Sequence, residues 1–280
     1  MSTNPAWFIT GASRGIGLEL ARAALAAGRR VAATSRRAVD VTAALGPHDS
    51  LLALDLDVTQ PAQITAAVAA AQARFGAIDV LVNNAGYGHL SLFEESSDAD
   101  ARAQFDTNVF GLFDVTRAVL PGMRARRSGH IINVSSVGGI IGAVSASLYC
   151  ASKFAVEGFS LSLADEVKAL GIHVSIVGPG YIRTDFLDPR SVRYADSTIP
   201  DYAELSTQLR SFYEQRSHQQ PGDPVHLAQA MLKLAAMENP PLRFSAGSDS
   251  LEMVEARLAQ VHAEMDTHRE LSRSVDGQWD

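Results

Sequence analysis

Cysteine is nearly absent: Cys150 is the only one in 280 residues. A lone thiol closes no intramolecular disulfide and supplies no cysteine-rich metal site, so a reducing cytoplasm is the expected home. It follows Tyr149 with no base assigned to it and reads as a packed thiol rather than a nucleophile. Long apolar runs are missing too; no stretch reaches 18 residues, which predicts no membrane span. Residues 1–5 show no basic region leading into an apolar one, so no signal peptide is expected. Basic charge is in deficit, with 24 Lys and Arg against 31 Asp and Glu and a net charge of -7. That balance disfavours a nucleic-acid binder, whose mark is a basic face or stripe. The cluster Arg124, Arg126 and Arg127 reads as a helix end complementing its dipole, with an acidic partner such as a carrier protein as the alternative. What is plentiful is apolar: 46% of residues are hydrophobic and 20% charged, the balance of a globular chain able to bury a full core.

Strand and helix signals alternate along the chain. Residues 6–10 form an apolar run ending in Thr10-Gly11-Ala12-Ser13-Arg14-Gly15-Ile16-Gly17, and 18–27 read as an Ala- and Leu-rich helix closed by Gly28. In the order strand, glycine turn, helix, such glycines let the backbone approach a pyrophosphate whose charge faces the helix N-terminus. Taken alone, the turn could also be a tight connection without ligand. A second strand spans 31–34. About 20 residues beyond the glycines, where an NAD site places an acid on the ribose, Ser35-Arg36-Arg37 stands instead. A guanidinium attracts the 2′-phosphate that an acid repels, and Arg14 can add a second cation. NADP is therefore preferred and NAD possible, with solvated helix-cap arginines as the bland alternative.

A third strand, 51–54, leads to Asp57 and Val58, a carboxylate and a backbone able to read an adenine; capping the helix that opens at Pro61 is the alternative, a role Thr59 suits better. After a helix at 61–75 and a strand at 78–82 come Asn83-Asn84-Ala85-Gly86. Small and amide residues there suit a backbone lying against a flat ligand, with side chains tying adjacent strands. Residues 97–120 read as one helix with Asn108 near its middle, and a poor helix former in an apolar segment invites a special reason. Strand 130–134 delivers Ser135 and Ser136. Helix 148–170 carries Tyr149 and Lys153, four apart and so stacked on one face. Strand 173–177 breaks at Gly178-Pro179-Gly180. An aromatic, poorly periodic excursion over 181–220 follows, long enough for a substrate loop or lid, with a short helix near 202–214. Helix 224–237, strand 242–246 and an amphipathic helix at 248–273 complete the chain. Without repeat or linker, 1–280 is expected to be one α/β domain, a doubly wound parallel sheet of about seven strands with helices on both faces.

These motifs in this order, from the glycine turn through Asn83-Asn84-Ala85-Gly86, Asn108, Ser136, Tyr149-Cys150-Ala151-Ser152-Lys153 to Pro179-Gly180 with Thr184, resemble the short-chain dehydrogenase/reductase family. The resemblance covers about residues 6–247, and Ser136 and Tyr149 are 13 apart as in that family. The T-G-x-x-x-G-x-G spacing is similar to the ordinary oxidoreductase branch rather than the epimerase branch. The resemblance implies a Rossmann-type fold with Tyr149 as general acid/base, its phenol lowered by Lys153 and by the nicotinamide charge. It implies that Ser136 hydrogen-bonds the substrate oxygen, that Lys153 binds ribose hydroxyls, and that Asn108 holds a water linking Lys153 to solvent. Cofactor contacts are implied for Gly11, Ser13, Arg14, Gly15, Ile16, Gly17, Ser35, Arg36, Asp57, Val58, Asn84, Ala85, Gly86, Tyr149, Lys153, Pro179, Gly180, Ile182 and Thr184, the last at the carboxamide. No metal is required. Gly178 departs from the acidic or amide residue of many members, with little consequence expected. Relatives commonly pair the helices holding Asn108 and Tyr149 across an interface, which implies a homodimer or homotetramer.

The long region after Thr184 and the segment Pro240-Pro241-Leu242-Arg243-Phe244 with a further helix are similar to the steroid- and retinol-dehydrogenase-like branch. The expected reaction interconverts a secondary alcohol and a ketone, or an aldehyde, with NADP. The substrate is expected to be a fairly apolar small molecule gripped by Ser136, Val137, Ile140, Ile141, Tyr149, Tyr181 and Phe186. Two alternatives stand beside it: a 3-oxoacyl reductase acting on a carrier-protein or CoA thioester, and a catalytically silent NADP sensor or scaffold. The silent protein would be expected to lack Tyr or Lys at 149 and 153, and both are present.

Overall fold

The structure, a computed structural model, describes residues 4–188, 191–196 and 199–277. Positions 1–3 of the N-terminal segment, 189–190 and 197–198 of the 181–220 excursion, and 278–280 lie outside the described residues. Seven strands form the main sheet: β1 (Ala6–Ile9), β2 (Arg30–Ser35), β3 (Leu51–Asp55), β4 (Val80–Asn83), β5 (Gly129–Val134), β6 (Ile172–Pro179) and β7 (Arg243–Ala246). All neighbours pair in parallel, in the order β3-β2-β1-β4-β5-β6-β7. The chain winds outward from β1 to β3, then returns to β4 beside β1 and winds the other way. This reversal opens a crevice at the carboxyl ends of β1 and β4, where such sheets bind ligands.

Burial on both faces explains why the strands read as continuous apolar runs. Trp7 and Ile9 join Val31, Ala33, Val80 and Val82 in one core layer with Leu20 and Ala24 of α1 (Gly15–Ala26) and Met231 of α8 (Pro224–Ala236). Ala6 and Phe8, one residue out of phase, join Ala32, Leu81 and Ile131 in the other. That layer is covered by α3 (Pro61–Phe75), α5 (Gly111–Arg126) and α6 (Ser147–Lys168).

Three helix readings change. The single helix expected over 97–120 is α4 (Asp98–Phe105), a π turn at Asp106–Phe110, and α5. Ser97 opens it with a capping box to Asp100, and the π turn places Asn108 in a wider coil than an α-helix allows. A further helix, α2 (Ala38–Leu45), carries no side-chain cap bond at Arg37, which is why no start signal marked it. The last helix breaks at His268 into α9 (Ser248–Thr267) and α10 (Arg269–Arg273).

The excursion after β6 is tied down at several points. Val192–Arg193 pair in parallel with Gly88–His89 beyond β4. The buried Glu95 carboxylate accepts from the Ile199 N–H at 3.0 Å and the Ser206 hydroxyl at 2.6 Å. The Tyr213 hydroxyl, on α7 (Ala203–Arg216), lies 3.2 Å from Ser145 Oγ. These bonds lay α7 beside the crevice. Among the described residues no helix is long and apolar enough to cross a membrane.

Candidate active site

β1 and β4 end side by side, and their loops are stitched together. Thr10 Oγ1 accepts from the N–H groups of Asn84 and Ala85, both at 3.0 Å, while Asn84 Nδ2 donates to Thr10 O at 2.9 Å and Gly11 O at 3.0 Å. Asn83 Nδ2 donates to Thr116 and Asn133, each at 2.9 Å, tying β4 to α5 and β5. Gly11 and Gly15 take φ of +67° and +57°, where a side chain is strained. α1 then opens with no side-chain cap bond at Arg14 and no acid in its first turn. The positive end of its dipole and its first N–H groups are thus directed to the glycine turn, a ready site for an anion. Ser13, Gly15 and Ile16 lie partly open on this turn, Gly17 is buried beneath it, and Thr184 Cβ would be 3.5 Å from a Cβ on Gly15. The glycine turn and the loop beyond β6 therefore face each other across the crevice. These residues fit a dinucleotide.

At the far end of that crevice, Arg36 is exposed just past β2. Ser35 is buried, its hydroxyl turned inward to donate to Arg37 O at 2.6 Å, and Arg37 is paired with Asp40. Of the Ser35-Arg36-Arg37 run, Arg36 and Arg37 are both exposed, and Arg37 is engaged by Asp40. Asp57 Oδ1 accepts from both the N–H (2.9 Å) and hydroxyl (2.7 Å) of Thr59, so this carboxylate closes a local turn. Val58 is buried against Gly111.

The candidate catalytic groups converge from three elements. Ser136 follows β5 and caps a 3-10 turn, its Oγ accepting from Gly138 N at 3.0 Å. A Cβ on Gly138 would lie 3.4 Å from both Ser136 Oγ and Tyr149 Cε1, so hydroxyl and phenol ring meet over this glycine. One turn along α6, Lys153 Nζ lies 5.8 Å from the Tyr149 ring centroid and donates to Val134 O at 2.9 Å. Asn108 completes the group from the π turn. Its Nδ2 donates to Tyr87 O (3.0 Å) and Ser152 Oγ (3.1 Å), and its Oδ1 accepts from Tyr87 N at 3.1 Å. A Cβ on Gly86 would touch Asn108 Oδ1 at 3.1 Å and Lys153 Nζ at 3.8 Å.

Burial dominates the electrostatics of the pair. It pushes the Tyr149 phenol up to about 12, with the Ser136 hydroxyl pulling the other way. This differs from the lowering expected from Lys153: in the protein itself desolvation of a phenolate outweighs any help from the ammonium. Burial also brings Lys153 down to about 8, opposed by the Glu157 charge. The sign of the pH dependence follows. If Tyr149 and Lys153 act as the resemblance implies, carbonyl reduction needs the phenol as acid and the ammonium beside it, both present below pH 8. Its initial rate is expected to fall as pH rises through that value, whereas alcohol oxidation, which needs phenolate, rises. Rates from about pH 6 to 10 in both directions check this; reduction that speeds up above pH 8 contradicts it.

These groups open onto a cleft of about 190 Å3. Of the residues expected at the site, Ile16, Asn84, Gly86, Ser136, Val137, Ile141, Tyr149, Lys153, Pro179, Gly180, Tyr181, Ile182, Thr184 and Phe186 line it. Ile140 is not among them: the 3-10 turn at Val137–Gly139 directs its neighbour Ile141 to the cleft instead. Gly11, Ser13, Arg14, Gly15, Gly17, Ala85, Ser35, Arg36, Asp57 and Val58 lie beyond the cleft at the carboxyl ends of β1 to β4, with Gly15 and Gly17 in the first turn of α1 and Ser35 the last residue of β2. On the cleft wall, Ala143 and Ala146 belong to the apolar segment between Ser136 and Tyr149, and Leu187, Tyr213 and Gln220 to the 181–220 excursion expected as a substrate loop; sequence reasoning missed Leu90 and Met253. They come from distant segments whose apolar periodicity carries no mark of a cleft. Cys150 is there as well, a packed thiol that burial pushes up.

A doubly wound sheet with a glycine turn at its switch point and a Tyr-Lys pair beside it defines a class of nucleotide-dependent oxidoreductases. Comparison with known proteins agrees. The family described as short chain dehydrogenase matches residues 6–194. A 3-ketodihydrosphingosine reductase of Bacteroides thetaiotaomicron is 38% identical over 243 residues, covering 85% of this chain and 86% of that protein. Retinol dehydrogenase 8 of Bos taurus is 37% identical over 251 residues, covering 84% and 79%. The crystal structure of a short-chain dehydrogenase from Streptomyces avermitilis superposes with a TM-score of 0.89 at 38% identity, covering 98% of this chain and 100% of that one. The chain belongs to the short-chain dehydrogenase/reductase family, enzymes acting on CH-OH or carbonyl groups.

Proposed function

We propose that this protein is an NADP-dependent oxidoreductase that interconverts a secondary alcohol and a ketone, or an aldehyde, on a fairly apolar small molecule. The observation that carries the reading is the meeting of the Ser136 hydroxyl, the Tyr149 phenol and the Lys153 ammonium at one cleft wall. In reduction Tyr149 gives its proton to the carbonyl oxygen, and in oxidation it takes the proton back. Ser136 donates a hydrogen bond to the same oxygen as negative charge develops there. Lys153 holds the cofactor ribose and steadies the phenolate. Asn108 fixes the Tyr87 backbone beside Lys153, and in this reading supports the water that reaches that ammonium. The nicotinamide, when bound, supplies or accepts the hydride at C4.

The remaining wall, Leu90, Val137, Ile141, Phe186, Leu187 and Met253, favours an apolar substrate body, as do the substrates in the names of the retinol and 3-ketodihydrosphingosine relatives. A homodimer or homotetramer is part of the proposal. Phe110, Phe154 and Leu161 are 53%, 48% and 50% exposed on the π turn and α6, and offer it a surface.

Cofactor choice rests on Arg36, outward at the end of β2, with Arg14 at the glycine turn. Arg36→Ala is expected to weaken NADPH binding roughly tenfold, the loss of one charge-assisted contact, and to leave NADH binding unchanged. Titration of both nucleotides against both proteins checks it; a wild type that prefers NADH overturns the assignment.

A further inference from the structure

Lys153 has a neighbour that the reading above does not use. Glu157 lies one turn further along α6, is 5% exposed, and is ion-paired with Arg243 from the start of β7. The pair sits behind the turn that carries Ser136. A Cβ on Gly139 would lie 2.6 Å from Ser135 Oγ and 3.0 Å from Glu157 Oε1, and one on Gly178 would lie 2.9 Å from Arg243 Nη2 and 3.6 Å from Ser136 O. Gly178 thus has a physical reason to be glycine: the Arg243 guanidinium fills the space a side chain would take.

A buried ion pair is a good stabiliser only when its remaining donors and acceptors are met. Among the described residues, Ser135 Oγ, Glu157 Oε1 and Arg243 Nε have no hydrogen-bond partner. Stability alone accounts poorly for such a pair. Its position does better, because charges at low dielectric act strongly on a neighbour, and residues four apart on a helix share a face.

We propose that Glu157 and Arg243 form a charged positioning couple for the catalytic group. Glu157 holds Lys153 in its ammonium form, while Arg243 tempers that charge and seats the Ser136 turn. The groups facing Lys153 are Tyr149 and Glu157 from α6, Asn108 from the π turn and the Val134 carbonyl from β5, with Arg243 from β7 behind Glu157. The only anion among them is Glu157, and it opposes the lowering of Lys153 by burial. Neutralising it lets Lys153 lose its proton at lower pH, and neutralising Arg243 leaves the carboxylate uncompensated and does the reverse.

The inference rests on the proposed function, and the test separates the two. Ketone reduction by Glu157→Gln, Arg243→Gln and Arg243→Lys is followed against pH, with NADPH affinity and Tm measured on each. Glu157→Gln is expected to shift the alkaline limb down by about one pH unit. Arg243→Gln shifts it up, and Arg243→Lys restores the wild-type midpoint. Variants that lose rate equally at every pH, or only lose Tm, overturn the couple. If Glu157→Gln does not fold, the opposite behaviour of the two Arg243 variants decides. Tyr149→Phe run alongside tells which idea failed: activity retained there refutes the catalytic reading itself, whereas an inactive Tyr149→Phe with unmoved midpoints refutes the couple alone.

Discussion

Tyr149→Phe is expected to lose turnover on every substrate the wild type accepts, by at least the roughly 10²- to 10⁴-fold that a positioned acid or base contributes. NADPH binding is expected to stay near wild type. In the proposed mechanism the phenol is the acid beside Ser136 in the cleft wall, and the substitution removes one oxygen while keeping the ring that packs 5.6 Å from Phe186. Packing, Lys153 and the glycine turn are untouched, so the loss falls on chemistry. Cys150 does not substitute for it, being a thiol held protonated by burial. Parallel measurement of kcat and NADPH Kd checks the split. A Kd that worsens in step with kcat would mean that Tyr149 acts mainly in holding the cofactor.

The second large effect concerns the glycine turn. Gly17→Ala places a Cβ 2.4 Å from Gly11 O and 2.5 Å from Asn84 Nδ2, a clash that a helix and two stitched loops relieve only by moving apart. Overpacking of this kind costs about 1 to 3 kcal/mol, and the Asn84 bonds to Thr10 and Gly11 are the ones that must give. Dinucleotide affinity is therefore expected to fall more than about tenfold, together with a lower Tm. Gly28→Ala, at a φ of +71° with open space around it, serves as the comparison: it strains the backbone but leaves nucleotide affinity alone. Isothermal titration and thermal melts on both variants distinguish a shaped turn from a merely flexible one.

Much of this was legible in the sequence because it rests on local rules. Short, largely apolar runs mark the strands, and the alternation of strand and helix through the sixth strand predicts a parallel doubly wound sheet. The four-residue spacing of Tyr149 and Lys153 places them on one helix face, and a strand ending at Ser135 brings Ser136 to the same edge. What stayed hidden depends on tertiary packing. The π turn at Asp106–Phe110 carries no breaker, only an Asn out of place in a helix. α2 has no capping residue and holds two valines and a threonine in eight residues, so its helix is imposed by the strands it covers. Ser35 was expected to face the cofactor, yet its hydroxyl satisfies Arg37. Glu157 and Arg243 read as ordinary helix and strand residues, and their meeting depends on where β7 joins the sheet.

The central claim is that this cleft passes a hydride to a carbonyl carbon while Tyr149 delivers the proton. It is tested most directly by reducing an apolar ketone with NADPH deuterated at nicotinamide C4 on the transferred face, in ordinary water, with mass analysis of the alcohol. The account predicts one deuterium at the carbinol carbon and none at the exchangeable oxygen, and no labelled alcohol from Tyr149→Phe. Alcohol formed without deuterium at carbon, with either face of the cofactor labelled, contradicts it.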